Sequence, residues 1–121
     1  MKIANGTDII EISRIEKSIE NLGNKFLQTI YTQGEIEYCE GHRANKFQHY
    51  AGRFAVKEAL YKALCEIMPR EKLSWKSFEV LNDECGRPFV NIEDEKILSI
   101  SVSISHCKEY AIANVVVLYD E

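Results

Sequence analysis

The chain has 121 residues, of which 45% are hydrophobic and 28% are charged, as in ordinary globular proteins. This length suits one domain spanning residues 1–121 and is too short for two. The net charge of −4 argues against a general nucleic-acid binder, because such proteins usually carry a basic excess.

Neither the four cysteines nor the three histidines form a metal-binding pattern, since no C-x-x-C pair is present. We therefore expect reduced thiols and a soluble, cytoplasmic protein. The N-terminus lacks the features of a signal peptide. The longest apolar stretch, residues 111–119, is far shorter than the roughly 20 residues that span a bilayer, so no membrane partner is expected.

The first third of the chain predicts a strand followed by two short helices. Residues 2–12 are rich in isoleucine with some alternation, which favours a β-strand. Residues 13–16 have the spacing of a capping box and predict the start of a helix, which Gly23 ends. Residues 32–35 repeat the capping signature and predict a second short helix.

The strongest predicted element is a long helix over residues 45–68, which Pro69 ends. At 100° per residue, Phe54, Glu58 and Lys62 form a row along one edge of its apolar face. The apolar face itself consists of Ala55, Val56, Ala59, Leu60, Ala63, Leu64 and Ile67.

The remainder of the chain has the period of two that is typical of strands. Residues 77–82 and 89–92 predict two strands joined by a turn at residues 83–88. Residues 100–105 and 110–119 predict a second hairpin. The order of elements indicates an α+β fold, with an antiparallel sheet packed against one long and two shorter helices.

Two carboxylates suggest a metal site, although each has an ordinary alternative. Asp8 lies in an apolar strand, where a carboxylate is costly to bury unless it is paired or bound to a cation; it could instead face water at an edge or turn. Glu58 could simply form a surface ion pair with Lys62. Two carboxylates suit Mg²⁺, which is often completed by water and substrate phosphates, and Lys62 could neutralise a phosphoryl oxygen.

Two further groups of residues have the same ambiguity. His106 could bind phosphate or transfer a proton, or it could be an ordinary turn histidine. Gly86, Arg87 and Pro88 form either a plain hairpin turn or a tight turn that projects a cation. Common nucleotide-binding motifs, namely the P-loop and G-x-G-x-x-G, are absent.

Four motifs, in order and in register, resemble the holo-acyl-carrier-protein synthases, a family of 4′-phosphopantetheinyl transferases. The motifs are GTDIIEI at residues 6–12, RFAVKEA at 53–59 with KAL at 62–64, NDECGRP at 82–88 and SISH at 103–106. The A-x-A-x-V-V run at residues 111–116 also matches. The resemblance extends from about residue 3 to residue 118.

This resemblance implies a 4′-phosphopantetheinyl transferase fold and a Mg²⁺-dependent reaction that moves phosphopantetheine from coenzyme A to a serine of apo acyl carrier protein. Asp8 and Glu58 would bind Mg²⁺. Lys62 would contact the phosphates, and His106 would lie near those of the 3′,5′-ADP half. The residues that would help hold the nucleotide are Arg53, Phe54, Gly86, Arg87 and Pro88.

Our preferred general base is Glu58, acting through a bound water. The resemblance also implies a role in fatty acid biosynthesis and a homotrimer with active sites shared between subunits. Arg14, Lys17 and Lys25 could meet the acidic helix of the carrier protein, or could merely be a solvated surface. Two rival functions stay open: another Mg²⁺-dependent phosphotransferase or phosphodiesterase, and a non-catalytic subunit with an idle site.

Overall fold

The computed structural model describes residues 1–121 and has the α+β class that the sequence predicts. The helices are α1 (Ile12–Leu22), α2 (Asn24–Ile30), α3 (Gln33–Glu40) and α4 (Lys46–Leu64). The strands are β1 (Lys2–Glu11), β2 (Val80–Asn82), β3 (Pro88–Val90), β4 (Ile97–His106) and β5 (Tyr110–Tyr119). Short 3₁₀ turns occupy Arg43–Asn45, Arg70–Lys72 and Trp75–Ser77.

The main sheet is antiparallel, with strand order β1-β5-β4. The predicted hairpin of β4 and β5 is confirmed, although β4 extends from Ile97 to His106 and has an irregularity between Ile97 and Ser99. The register places Asp8 opposite Ala113 and Gly6 opposite Val115. The chain begins and ends at the same edge of the molecule, because Lys2 pairs with Tyr119.

Helix α4 covers one face of this sheet, and its apolar residues form the main core. Ala55, Val56, Ala59, Leu60 and Leu64 are fully buried there against β-branched residues of β5. The helix ends at Leu64 rather than at the predicted residue 68. Pro69 disfavours helical geometry in the preceding residue, and the chain turns early so that Met68 packs into the core.

The three helices before α4 differ from the prediction in number and in one boundary. Helix α1 begins at Ile12 with no side-chain cap, so the predicted capping box at residues 13–16 is wrong. Strand β1 leads directly into the helix, and the Ile12 amide instead donates to the Glu109 carbonyl at 2.9 Å. Gly23 ends α1 at φ 57°, as predicted.

Helix α2 was not predicted, and the fold therefore has three shorter helices rather than two. It has only seven residues, with no side-chain cap at its start. The predicted capping box at the start of α3 is confirmed, because Thr32 and Glu35 bond each other's backbone amides. A second hydrophobic core lies near these helices. It includes Tyr31 and Tyr50, whose ring centroids are 4.9 Å apart.

The small hairpin of β2 and β3 has shorter strands than predicted, since Ser77 belongs to a 3₁₀ turn. Its turn is held by Asp83, whose Oδ1 accepts hydrogen bonds from the amides of Cys85 and Arg87, both at 2.9 Å. Gly86 adopts φ 82°, a left-handed conformation that favours glycine.

All four cysteines are free, and only Cys39 is buried. Among the helices, none combines the length and apolar character that crossing a membrane requires.

Candidate active site

Asp8 lies near the middle of β1, at a point where the strand runs unusually close to α4. The close approach depends on Gly6, because a side chain there would overlap the carbonyl oxygen of Ala59 on the helix. Asp8, two residues later on the same face of the strand, is thereby brought against the second half of α4. The sequence showed the glycine but not what it contacts.

Lys62 on α4 bonds directly to this segment of β1. Its Nζ donates to the carbonyl oxygen of Thr7 at 2.8 Å and lies 3.4 Å from Oδ1 of Asp8. The Asp8 side chain is only 16% exposed. Its other oxygen, Oδ2, is buried and has no hydrogen-bond partner within the chain. A buried carboxylate oxygen without a partner is costly unless a cation binds it.

Glu58 lies one turn before Lys62 and is half-buried. Burial raises the pKa of Glu58 above its ordinary value, the negative charge of Asp8 raises it further, and Lys62 partly offsets the increase. The carboxyl groups of Glu58 and Asp8 therefore influence each other. The alternative of a Glu58–Lys62 ion pair is not observed, since Lys62 pairs with Asp8 instead.

The donor set fits a hard divalent cation such as Mg²⁺. Asp8 and Glu58 offer oxygen ligands, one of them unpartnered, and no cluster of three acidic, histidine or cysteine residues exists. Such a sparse set leaves coordination positions for water and for phosphate oxygens, which is how Mg²⁺ is usually bound.

A cavity of about 260 Å³ opens beside Glu58 and is mainly apolar. Its lining residues are Lys57, Glu58, Tyr61, Leu73, Ser74, Trp75 and Phe78. Phe54 does not line the cavity but contacts one of its lining residues, because its ring stacks on that of Trp75 with 5.1 Å between centroids. An extended, weakly polar chain could lie in this cavity with one end at the carboxylates.

A second pocket, of about 160 Å³, collects residues from α4, from the β2–β3 turn and from the end of β4. It brings together four residues predicted to bind the nucleotide: Arg53, Gly86, Pro88 and His106. Arg87 does not line this pocket and instead lines a neighbouring depression with Asp83. The remaining lining residues are Tyr38, Gln48, His49, Gly52, Asn82 and Ile104.

Arg53 provides a fixed positive charge in this second pocket. It is only 3% exposed, its guanidinium stacks 3.9 Å from the centroid of Tyr38, and its Nη2 donates to Oδ1 of Asn82. Its Nε has no partner within the chain. The guanidinium is thus held in place by Tyr38 and Asn82.

His49 was not among the predicted site residues, although it lines the same pocket. Burial lowers the pKa of His49 to about 4, and the positive charges of His42, Arg53 and His106 act in the same direction. Its position four residues before Arg53 on one helix face was the available signal.

Lys57 lies next to Glu58 in the sequence, but the fold buries it, and it adds no exposed positive charge to the edge of α4. Its side chain is 2% exposed and forms an ion pair with Glu35 at 2.9 Å. Its Nζ also donates to the carbonyl oxygens of Trp75 and Phe78. Lys57 therefore connects α4 to α3 and to the segment of Trp75 and Phe78, which line the cavity.

The predicted carrier-binding residues lie on other elements. Arg14 and Lys17 are on α1 and Lys25 is on α2, and all three are exposed. None of the three lines either pocket.

Known proteins resemble this chain along most of its length. The model of the 4′-phosphopantetheinyl transferase superfamily matches residues 4–115. A holo-[acyl-carrier-protein] synthase of Ruminiclostridium cellulolyticum is 42% identical, over 97% of this chain and 92% of the relative. The synthase of Thermodesulfovibrio yellowstonii is 46% identical, over 93% of this chain and 95% of the relative.

Solved structures of such synthases have the same fold. The Bacillus anthracis synthase, crystallised with CoA (3′,5′-ADP), superimposes with a TM-score of 0.79 at 38% identity, over 94% of each chain. The Helicobacter pylori synthase in complex with coenzyme A gives a TM-score of 0.82 at 36% identity, over 94% of this chain and 99% of the other. The chain therefore belongs to the 4′-phosphopantetheinyl transferase superfamily, among the holo-[acyl-carrier-protein] synthases.

Proposed function

We propose that the chain transfers the 4′-phosphopantetheine group of coenzyme A to a serine of apo acyl carrier protein in a Mg²⁺-dependent reaction, releasing adenosine 3′,5′-bisphosphate. The observation that carries the proposal is the cluster of Asp8, Glu58 and Lys62 beside an apolar cavity, with a separate cationic pocket on the same helix. In this role the enzyme supports fatty acid biosynthesis in the cytoplasm.

Asp8 and Glu58 would hold the Mg²⁺ ion. The bound ion would supply charge neutralisation for the diphosphate of coenzyme A. The unpartnered Oδ2 of Asp8 and the raised pKa of Glu58 both support these assignments, because a cation would satisfy the first and stabilise the ionised form of the second.

Lys62 would bind a phosphate oxygen and steady the charge that develops as the diphosphate bond breaks. Its Nζ already lies beside Asp8 and the Thr7 carbonyl, so its position is set before substrate arrives. The serine oxygen forms a bond to the β-phosphorus, and the bond from that phosphorus to the bridging oxygen breaks. The bisphosphate leaves with the electron pair.

Glu58 would accept the serine proton through a water molecule. A general base must lie within hydrogen-bond reach of the proton, directly or through one water, and Glu58 lines the cavity beside the residues that would hold Mg²⁺ and phosphate. Glu58→Gln tests this role at saturating Mg²⁺. Near-normal turnover of that variant would remove Glu58 as the base.

The second pocket would hold the nucleotide through Arg53, Gly86, Pro88 and His106, which it brings together. His106 would act near the phosphates of that half of the ligand. Arg87 and Phe54 are proposed as nucleotide contacts on family resemblance alone, because neither lines this pocket.

Arg14, Lys17 and Lys25 would meet the acidic carrier protein. Their exposure and their position on α1 and α2 support a docking role that speeds encounter by charge attraction. Arg14→Glu is expected to weaken the apparent affinity for the carrier and to reduce its dependence on salt. An unchanged affinity and salt dependence would exclude this surface.

A homotrimer is supported by the face of the sheet that α4 leaves uncovered. Ile3, Ile9 and Ile112 point to that side and are 70%, 59% and 38% exposed. An apolar sheet face of this kind usually has a partner. Light scattering is expected to give three times the monomer mass, and a monomer would contradict the proposal.

Intact-protein mass spectrometry tests the reaction itself. Purified enzyme, coenzyme A, Mg²⁺ and apo acyl carrier protein should add one phosphopantetheine to the carrier, and EDTA or Asp8→Ala should abolish the addition. Asp94→Ala is a matched control, because Asp94 bonds only to its own loop. Free phosphopantetheine without modified carrier would favour a hydrolase, and no product at all would favour a non-catalytic subunit.

A further inference from the structure

An unusual concentration of cationic and imidazole side chains surrounds the second pocket. Arg53 stacks on Tyr38, and Tyr38 lies 4.4 Å from His42 and 5.3 Å from His49 between ring centroids. The rings of His42 and His49 lie 4.5 Å apart. All three histidines of the chain belong to this region, because His106 lines the pocket opposite α4.

No acidic residue lines this pocket, although Asp83 and Glu84 line an adjoining depression that shares Arg53 and Gly86 with it. This is notable because the chain has 19 acidic and 15 basic side chains and is acidic overall. Arg53 is buried there with an unpartnered Nε donor. A buried cation with no carboxylate among the lining residues of the same pocket indicates a ligand with its own negative charge, such as a phosphate group.

His49 adds a titratable group to this fixed charge. The imidazole faces Arg53 of its own helix, His42 after α3 and His106 at the end of β4, with the ring of Tyr38 on α3 beside it. The fixed charge in this set, that of Arg53, is positive. Protonation of His49 is therefore disfavoured until an anion enters the pocket.

We propose that His49 is a specificity-determining residue for the phosphate bound in this pocket, and that its imidazole takes up a proton from solvent when the phosphate enters. The proton binds to a ring nitrogen, so that His49 becomes a cationic hydrogen-bond donor only in the complex. The proposal rests on the proposed function, because coenzyme A is the phosphorylated ligand.

The size of the effect follows from the electrostatics. A phosphate within about 4–6 Å raises the pKa of a histidine by roughly 1–3 units, and in the free protein the pKa of His49 is about 4. A rise of about two units makes binding about tenfold tighter at pH 5 than at pH 8 through this group alone. A neutral ligand of the same shape gains no affinity from protonation of His49.

The test combines NMR titration with calorimetry on the full-length protein with Mg²⁺. The His49 ring resonance, assigned by its loss in His49→Gln, is followed against pH with and without coenzyme A. Calorimetry in buffers of different ionisation enthalpy counts the protons taken up near pH 5.5. The expected results are a raised pKa of His49 in the complex and a proton uptake that His49→Gln reduces.

His42→Gln is the matched control, because His42 touches the His49 ring but does not line the pocket. This variant should keep most of the proton uptake. Dephospho-coenzyme A distinguishes the two sources of phosphate. Uptake that disappears with this ligand assigns the pocket to the 3′-phosphate, and uptake that persists assigns it to the diphosphate.

Two outcomes overturn the proposal separately from the proposed function. If carrier modification proceeds but His49 titrates identically in free and bound protein, His49 plays no part in recognising phosphate. The same conclusion follows if His49→Gln retains the full proton uptake. Failure of coenzyme A to bind would overturn both this inference and the proposed function.

Discussion

The contact of Gly6 with α4 gives the sharpest prediction for the active site. In Gly6→Ala, the new Cβ would overlap the Ala59 carbonyl oxygen and would lie 2.8 Å from its carbonyl carbon and 3.1 Å from the Ala63 amide nitrogen. These neighbours are backbone atoms of a helix, and no side chain can rotate away to make room. Strand β1 therefore has to move.

The required movement can be estimated from contact distances. Carbon atoms pack at roughly 3.5–4.0 Å, so β1 has to retreat from α4 by about 1 Å at this point. Overpacking of this kind lowers the free energy of unfolding by about 1–3 kcal/mol, and a rigid backbone neighbour favours the upper end. Asp8 moves with the strand, and a misplacement of about 1 Å can reduce catalysis about 100-fold.

Urea unfolding and the carrier modification assay measure the two effects on the same preparation. Gly23→Ala is the matched control, because Gly23 has φ 57° and a side chain there would contact nothing within 4 Å. Because the ψ of −134° places Gly23 outside the left-handed helical region, the substitution should lower the free energy of unfolding by about 1–3 kcal/mol through backbone strain and leave turnover of the folded enzyme unchanged. If Gly6→Ala retained both wild-type stability and near-normal turnover, β1 would not be positioned by this contact.

Three further variants test other parts of the structure. Lys57→Met should destabilise the fold by about 3–5 kcal/mol because it removes the cation that pairs with the buried Glu35 carboxylate. Glu35→Gln should destabilise this variant less than it destabilises the wild type, since the ion pair is already lost. A coupling energy near zero in urea unfolding would contradict this. Gly86→Ala should lower the free energy of unfolding by about 1 kcal/mol, because Gly86 has a φ of 82°. The variant should also bind coenzyme A more weakly, because this residue shapes the turn in the second pocket. Unchanged binding by calorimetry would argue against a role of the turn in binding. The pKa of His49 is lowered to about 4 in the folded protein, so the unfolded chain protonates this imidazole at a higher pH than the folded chain does. The free energy of unfolding should therefore fall as the pH decreases from about 6.5 to 4. The fall should be smaller in His49→Gln, and identical pH profiles of the two proteins would exclude His49 as its cause.

Sequence periodicity was sufficient for the elements that bury one regular face. Helix α4 and strand β5 present such faces to each other, and both were predicted with boundaries within a few residues at their starts. Helix α2 was missed because seven residues are too few to show a period and its start lacks a side-chain cap. The start of α1 was misplaced because a tertiary contact, from Ile12 to Glu109, replaces the local cap.

The site shows the same division between local and tertiary information. The residue types and spacing of Asp8, Glu58 and Lys62 indicated a metal and phosphate site, and the structure places Asp8 and Lys62 in contact. Lys57 is a neighbour of Glu58 in the sequence, yet the fold buries it against Glu35 from a different helix. His49 belongs to no motif, and its importance depends on neighbours from α3 and β4.

The site has two halves, namely the metal half-site of Asp8, Glu58 and Lys62 and the nucleotide half-site of the second pocket, with Arg53 and His106. Their positions on α4 bear on how they work together. Arg53 and Glu58 are five residues apart, which places them about 140° apart around the helix and about 7.5 Å along it. Lys62 lies about 180° from Arg53. Within one chain, a ligand that reaches both half-sites has to pass around the helix. Two neighbouring subunits could instead each contribute one half-site.

Mixed oligomers test this arrangement. Asp8→Ala and His106→Gln each disable one half-site, and each variant alone should have little activity. If the active site forms between neighbouring subunits, trimers assembled at random from equal amounts of the two should contain about one intact site in four, and activity should recover to about a quarter of wild type. If both half-sites of one chain serve the same ligand, no mixture contains an intact site, and activity stays at the level of the single variants. Refolding the two variants together and following carrier modification by mass spectrometry distinguishes these results, with the separately refolded variants as the baseline.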